Sequence, residues 1–175
     1  MADGPGGFAV FSLADPIHPV EVARIPASDY MYDVRVDGTR AYVAGGQQGL
    51  VIMDVADPAA PIVLETFKTP EHAFSISLAD GRAYTAEGMY QFVGVGLEDP
   101  AHPVAEVVGA QSGYGMSVHA LGNEQLLVGN FLNGLKLVDL TTNSASPATF
   151  FHDHAWLLAA MAFVVLIVRP VSVLL

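Results

Sequence analysis

The sequence contains no cysteine and few cationic side chains, and both shortages narrow the range of functions. Without cysteine there can be no disulfide framework, no thiolate metal site and no cysteine nucleophile. Seven Lys and Arg stand against 18 Asp and Glu, so the formal net charge is -11. An acidic surface repels phosphate backbones, and nucleic-acid binding is therefore not expected.

Recognisable catalytic and targeting motifs are also missing. There is no P-loop, no His-Glu-x-x-His zinc motif, no EF-hand loop, and no nucleophile elbow around Ser75. The first seven residues carry neither a cationic stretch nor an apolar core, so we expect no signal peptide in this chain. The sequence accordingly predicts no catalytic residue and no cofactor.

The sequence is rich in apolar residues and contains an internal repeat. Hydrophobic residues make up 52% of the composition, which is enough for a core and excludes disorder for the main body. Asp15, Asp57 and Asp99 are each followed by proline and lie 42 residues apart. Gly7 and Gly49 keep the same spacing. Independent landmarks that share one period indicate a tandem structural unit.

Each unit reads as four short β-strands. In the second unit these are residues 32–36, 40–44, 50–55 and 62–67, which are rich in β-branched and aromatic residues and are separated by Gly, Asp and Pro. The third strand is almost continuously apolar, as expected for a strand that is covered on both faces. The sequence therefore predicts an all-β fold of four-stranded antiparallel sheets.

Four strands per unit of about 40–45 residues is the pattern of a β-propeller blade. A β-solenoid is the alternative, although its units are usually shorter. The chain opens on the last two strands of one unit, and fuller units begin near Tyr32, Phe74 and Met116. We therefore expect three and a half blades over residues 1–151, forming an open or incomplete arc. Unpaired blade edges in such an arc would favour self-association.

Two segments of the second unit carry a family resemblance. Residues 40–46 and 49–61 resemble the LVIVD repeat of bacterial and archaeal β-propellers, and the name-giving positions are occupied by Leu50-Val51-Ile52-Met53-Asp54. The resemblance covers roughly residues 7–151. It implies a cell-surface or exported scaffold without a general catalytic assignment.

The last 24 residues, 152–175, depart from the repeat. Residues 155–168 form an unbroken apolar stretch of 14, and its extension to residue 175 includes one Arg and one Pro. A membrane span needs about 20 apolar residues, whereas 10–14 is more typical of a buried segment. Three interpretations stay open: a buried terminal helix, a membrane anchor through residues 155–175, or an end unrelated to the family.

Polar ring residues recur just before the first strand of each unit. Tyr30, His72 and Tyr114 share this position, Tyr32 follows two residues on, and His119 lies within the first strand of its unit. In a propeller this strand lines the central channel, so these residues are expected at the channel mouth. Such side chains suit recognition of a ligand or partner. The alternative is architectural packing against the neighbouring blade.

A second column holds short hydrogen-bond acceptors at the strand starts. It consists of Asp33, Ser75 and Ser117. Side chains of this kind commonly bind nearby backbone N–H groups, which predicts a structural role.

The sequence supports two hypotheses for function. The first is a non-catalytic scaffold that binds a protein or a surface polymer and is part of a larger cell-surface or exported protein. The second is a metal-assisted enzyme in which His72, His119 and Glu71 gather at the channel mouth.

Overall fold

The computed structural model describes residues 1–89, 92–99, 102–109, 114–141 and 144–147. This part of the chain forms 14 β-strands in four antiparallel sheets and contains no helix. The predicted all-β class is confirmed. The strands are β1 (Phe8–Ser12), β2 (Val20–Ile25), β3 (Asp33–Asp37), β4 (Arg40–Ala44), β5 (Leu50–Asp54), β6 (Ile62–Phe67), β7 (Ser75–Ala79), β8 (Arg82–Ala86), β9 (Phe92–Gly96), β10 (Val104–Gly109), β11 (Gly115–Gly122), β12 (Gln125–Asn130), β13 (Gly134–Asp139) and β14 (Ser144–Pro147).

Every sheet is a meander whose spatial order follows the chain. One sheet holds β1 and β2, and the other three are β3–β6, β7–β10 and β11–β14. Within each sheet a strand pairs antiparallel with the next along the chain, and in the sheet β3–β6 the connections are short, at residues 38–39, 45–49 and 55–61. The result is the predicted β-propeller-like array of three and a half blades.

The Asp-Pro turns between third and fourth strands are built by the aspartate itself. The Oδ1 atom of Asp15 accepts a hydrogen bond from the backbone N–H of Ile17 at 3.1 Å. Asp57 repeats the contact with the N–H of Ala59 at 2.9 Å. Because this bond closes the turn locally while proline presets the backbone, the motif recurs in successive units.

Both faces of the inner blade strands are buried, as the apolar run in β5 predicted. Leu50 and Ile52 face the following blade, whereas Val51 and Met53 face the preceding sheet. The first interface between complete blades contains Tyr42, Ala44, Leu50, Ile52, Ala73, Ile76, Ala83, Val93 and Val95. A similar cluster joins the next two blades and contains Tyr84, Ala86, Phe92, Val118, Leu126, Val128 and Val138. The core is therefore a series of layers between blades.

Hydrogen bonds between first strands tie neighbouring blades together. The Oδ2 atom of Asp33 accepts from the Oγ of Ser75 at 3.3 Å and from the N–H of Ile76 at 3.1 Å. The Oγ of Ser75 in turn accepts from the N–H of Val118 at 3.5 Å. The predicted structural role is thus confirmed for Asp33 and Ser75, which connect one blade to the backbone of the next.

The sequence left three interpretations open for residues 152–175, and this segment lies outside the described residues. The predicted domain boundary at residue 151 lies outside them as well. The described residues hold no helix that could span a bilayer.

Candidate functional site

One end of the array collects two kinds of connecting segment. Asp33 at the start of β3 pairs with Ala44 at the end of β4, and Ser75 pairs with Ala86 in the same way. The segment leading into the first strand therefore lies at the same end as the loop between the second and third strands. We call this end the entry face.

Five ring side chains form a continuous aromatic patch on the entry face. Centroids of Tyr30 and Tyr32 are 5.8 Å apart with the rings stacked, and Tyr32 meets Phe74 edge-on at 5.2 Å. Phe74 also contacts His72 at 6.1 Å and Tyr114 at 5.8 Å. The patch therefore extends over three successive blades. Tyr30, Tyr32 and Tyr114 are 48%, 45% and 36% exposed, so much of its surface faces solvent.

A repeated backbone bridge holds the patch in position. The N–H of Gly46 donates to the carbonyl of Ala73 at 3.1 Å, and the N–H of Ala73 donates back at 3.0 Å. Gly88 and Gly115 form the same pair at 3.0 and 2.7 Å. Each bridge joins the loop between the second and third strands of one blade to the residue that follows His72 or Tyr114 in the next blade. The backbone carrying His72 or Tyr114 is consequently fixed to the preceding blade.

Gly88 also gives Tyr114 a surface to pack on. A Cβ at Gly88 would lie 3.1 Å from the ring carbon Cζ of Tyr114, and the residue has a φ of +48°. Glycine satisfies both the backbone conformation and the close approach. Tyr114 therefore has the architectural packing that the sequence suggested and still exposes part of its ring.

Sequence reasoning missed Phe74, which contacts three other rings at the centre of the patch. Phe74 lies 42 residues after Tyr32, so the same period could have identified it. His119, by contrast, lies in the middle of β11 opposite Leu127. Its exposed side chain takes no part in the ring contacts of the patch.

The metal-site hypothesis required three ligands to gather at the channel mouth. The Oε2 of Glu71 lies 4.0 Å from the Nδ1 of His72. However, no group of three or more His, Asp or Glu side chains comes close enough to hold a metal ion in the described ranges. The expectation that His119 joins His72 and Glu71 was therefore wrong, because His119 lies further along β11.

An ionised carboxylate borders the aromatic patch. The Oδ2 of Asp29 accepts from the backbone N–H of Gln47 at 2.7 Å. This bond and a second from the N–H of Tyr30 lower the pKa of Asp29, and the nearby His72 lowers it further. The pKa of Tyr32 is raised, first by burial and then by the charge of Asp29.

A second carboxylate lies buried beneath the segment that leads to His72. Glu87 is fully buried, and its Oε1 accepts from the hydroxyl of Thr85 at 2.6 Å. Its Oε2 accepts from the backbone N–H of Glu71 at 3.3 Å. Burial raises the pKa of Glu87, and this effect is opposed by the hydrogen bonds it receives. Glu87 thus anchors residue 71, next to His72, at a cost in charge desolvation.

We predict that the variant Glu87→Gln removes a pH dependence of stability. A carboxyl whose pKa is raised on folding binds more protons in the folded state, so stability falls as pH rises from its unfolded pKa of about 4.5 through the folded value. Gln keeps hydrogen-bonding capacity without a charge. The free energy of unfolding of Glu87→Gln relative to the parent should therefore increase from pH 4 to pH 8. The size of this increase is proportional to the rise in the pKa of Glu87 on folding.

Urea denaturation at several pH values measures this difference. Glu98→Gln removes an exposed carboxyl and controls for the change in net charge. A difference between Glu87→Gln and the parent that stays constant over this pH range would contradict the prediction.

Comparison with known proteins agrees with the repeat and the architecture. Residues 30–69 match the family model of the LVIVD repeat. No curated protein matches the sequence.

Solved structures share the fold at low sequence identity. The computationally designed Ika8 protein has a TM-score of 0.64 and 8% identity, over 82% of this chain and 43% of that one. BamB from Moraxella catarrhalis, a β-propeller, has a TM-score of 0.60 and 14% identity, over 82% and 42% of the two chains. A chain of a Mitotic Checkpoint Complex has a TM-score of 0.64 and 16% identity, over 83% and 45%. This chain therefore spans less than half the length of each.

Proposed function

We propose that this β-propeller array, whose second unit is an LVIVD repeat, is a non-catalytic scaffold that binds a protein or surface polymer through its entry face. The observation that carries the proposal is the exposed aromatic patch formed by Tyr30, Tyr32, His72, Phe74 and Tyr114. Tyrosine combines a large apolar face with a hydrogen-bonding tip and has few side-chain rotations to lose on binding.

Rigid support strengthens this interpretation. The patch lies where β3, β7 and β11 begin, each of these strands is paired with the second strand of its blade, and the backbone is held by the bridges at Gly46 and Gly88. Because the rings are already ordered against one another, a partner would bind them with a small additional entropy cost. Exposed aromatic clusters on rigid elements are typical of the central part of protein interfaces.

The cellular setting belongs to the same proposal. The family resemblance supports a cell-surface or exported location. This chain spans less than half the length of each solved neighbour, which supports an array that is part of a larger protein. Unpaired edges of the array are further surfaces through which copies could associate.

Selection from a displayed library of random peptides tests the proposal. We expect peptides that bind the parent to bind the triple variant Tyr30→Ala, Tyr32→Ala, Tyr114→Ala about tenfold more weakly or worse, as loss of an interface hot spot requires. A control triple variant changes exposed apolar side chains elsewhere: Ile17→Ala, Ile62→Ala and Val104→Ala. Circular dichroism verifies that both variants are folded.

Two results would overturn the proposal. One is a selection that yields no peptide whose binding depends on the patch. The other is an equal loss of affinity in both triple variants, which would mean that the entry face has no special part in binding.

A further inference from the structure

We infer that the aromatic patch recognises a basic segment of a protein partner, with Arg or Lys side chains placed over the tyrosine rings and beside Asp29 and Glu71. This inference rests on the proposed function and specifies the chemistry of the ligand. It distinguishes a cationic peptide from the neutral or acidic ligands that the same surface could in principle take.

The rings supply the first part of the argument. Aromatic faces carry partial negative charge and attract a guanidinium or ammonium group within about 6 Å of the ring centre. Tyr30 and Tyr32 are stacked with an angle of 24° between their planes, whereas Tyr32 and Phe74 meet at 69°. The patch thus presents several differently oriented faces and no single plane. Such a surface suits compact cationic groups better than a flat sugar ring.

Carboxylates at the border supply the second part. The hydrogen bonds from the backbone N–H groups of Gln47 and Tyr30 both favour the ionised form of Asp29. Glu71 lies beside the ring of His72, and about a third of its side chain is exposed. Two negative charges beside electron-rich faces make a consistent site for a positive group.

The distribution of cations supplies the third part. Arg35, on the adjoining strand β3, is held by the Oδ1 of Asp33 at 2.7 Å. Arg24 and Arg82 are paired with acidic side chains elsewhere. Lys68 begins the segment that leads into β7 and lines an outer cleft with His102. Acidic side chains thus accompany Arg24, Arg35 and Arg82, and the net charge of -11 would accelerate encounter with a basic partner.

A defined peptide pair tests the inference. The probe is a decapeptide of alternating Arg and Gly, and its reference is the same peptide with citrulline, which replaces the charged guanidinium by a neutral urea of similar shape. We expect the citrulline peptide to bind about tenfold more weakly, as measured by fluorescence anisotropy, because the cation–π and ion-pair interactions are lost. Raising the salt concentration should weaken only the Arg peptide.

Charge-neutralising variants locate the effect. Asp29→Asn with Glu71→Gln should lower affinity for the Arg peptide about fivefold or more, since each partly exposed charge contributes a fraction of a kcal/mol to about one. Asp37→Asn with Glu98→Gln makes the same charge change at the opposite end of the blades. This control should lower the affinity for the Arg peptide much less. An equal effect of the two double variants would overturn the inference.

The outcomes separate the inference from the proposed function. Equal binding of the Arg and citrulline peptides, with both lost in the triple tyrosine variant, would overturn the inference and leave the scaffold function intact. Patch-dependent binding of a neutral glucose hexamer, without binding of the Arg peptide, would have the same consequence. If the Arg peptide fails to bind and the library selection finds no patch-dependent peptide, both the inference and the proposed scaffold function are overturned.

Discussion

Replacing Ile52 by alanine should lower the free energy of unfolding by about 2–5 kcal/mol. Ile52 is completely buried in β5, within the layer between the first two complete blades. Truncation removes three buried carbon atoms and leaves a cavity between two sheets. Because strands on both sides are held by their own hydrogen-bond ladders, the layer can close only in part. Urea denaturation followed by far-UV circular dichroism measures the loss.

The same substitution on the adjacent strand provides the control. Ile62 begins β6 and is 62% exposed, so Ile62→Ala should change stability by less than about 0.5 kcal/mol. Similar losses in the two variants would contradict a core placed between stacked blades. They would instead indicate that the stabilising contacts lie along the outer strands.

Gly49→Ala is the second substitution for which we expect a large loss of stability, about 2–5 kcal/mol from backbone strain and steric overlap together. Gly49 has a φ of +80°, and a Cβ there would lie 2.4 Å from the carbonyl oxygen of Phe67 and 2.5 Å from the nitrogen of Thr69. These are backbone atoms of the same blade. Relief would require the end of β6 to move, which is why the cost exceeds that of the φ angle alone.

Gly38→Ala isolates the contribution of backbone conformation. Gly38 also has a positive φ, +55°, but a Cβ there meets nothing within 4 Å. We expect this variant to lose only about 1 kcal/mol. Thermal or urea unfolding of the two alanine variants compares them directly. A loss for Gly38→Ala as large as that for Gly49→Ala would show that steric contact at Gly49 is unimportant.

Much of the fold could be predicted because its signals are local and repeated. The predicted strands at residues 40–44 and 62–67 agree with the observed β4 and β6. The apolar third strand correctly indicated burial on two faces, since a strand open to water on one side would need alternating polar residues. The Asp-Pro turns were predictable as well, because their hydrogen bonds link neighbours along the chain.

The candidate site was less accessible from the sequence. The period identified Tyr30, His72 and Tyr114 as one structural position, and the structure places them at one end of the array. It did not identify Glu87, because the position 42 residues earlier is Gly45, which has no side chain for comparison. A side chain that departs from the repeat can be recognised as an anchor only when its partners are known.

The sequence by itself therefore determined the repeat, the strands, the turns and the number of blades, because each depends on the order of residues within about 42 positions. The tertiary structure alone decided which ring side chains touch across blades and that His119 stands apart from His72. It also decided that Gly46 and Gly88 bridge to the next unit. These are contacts between separate units, and their geometry depends on how the sheets stack, which no single unit specifies.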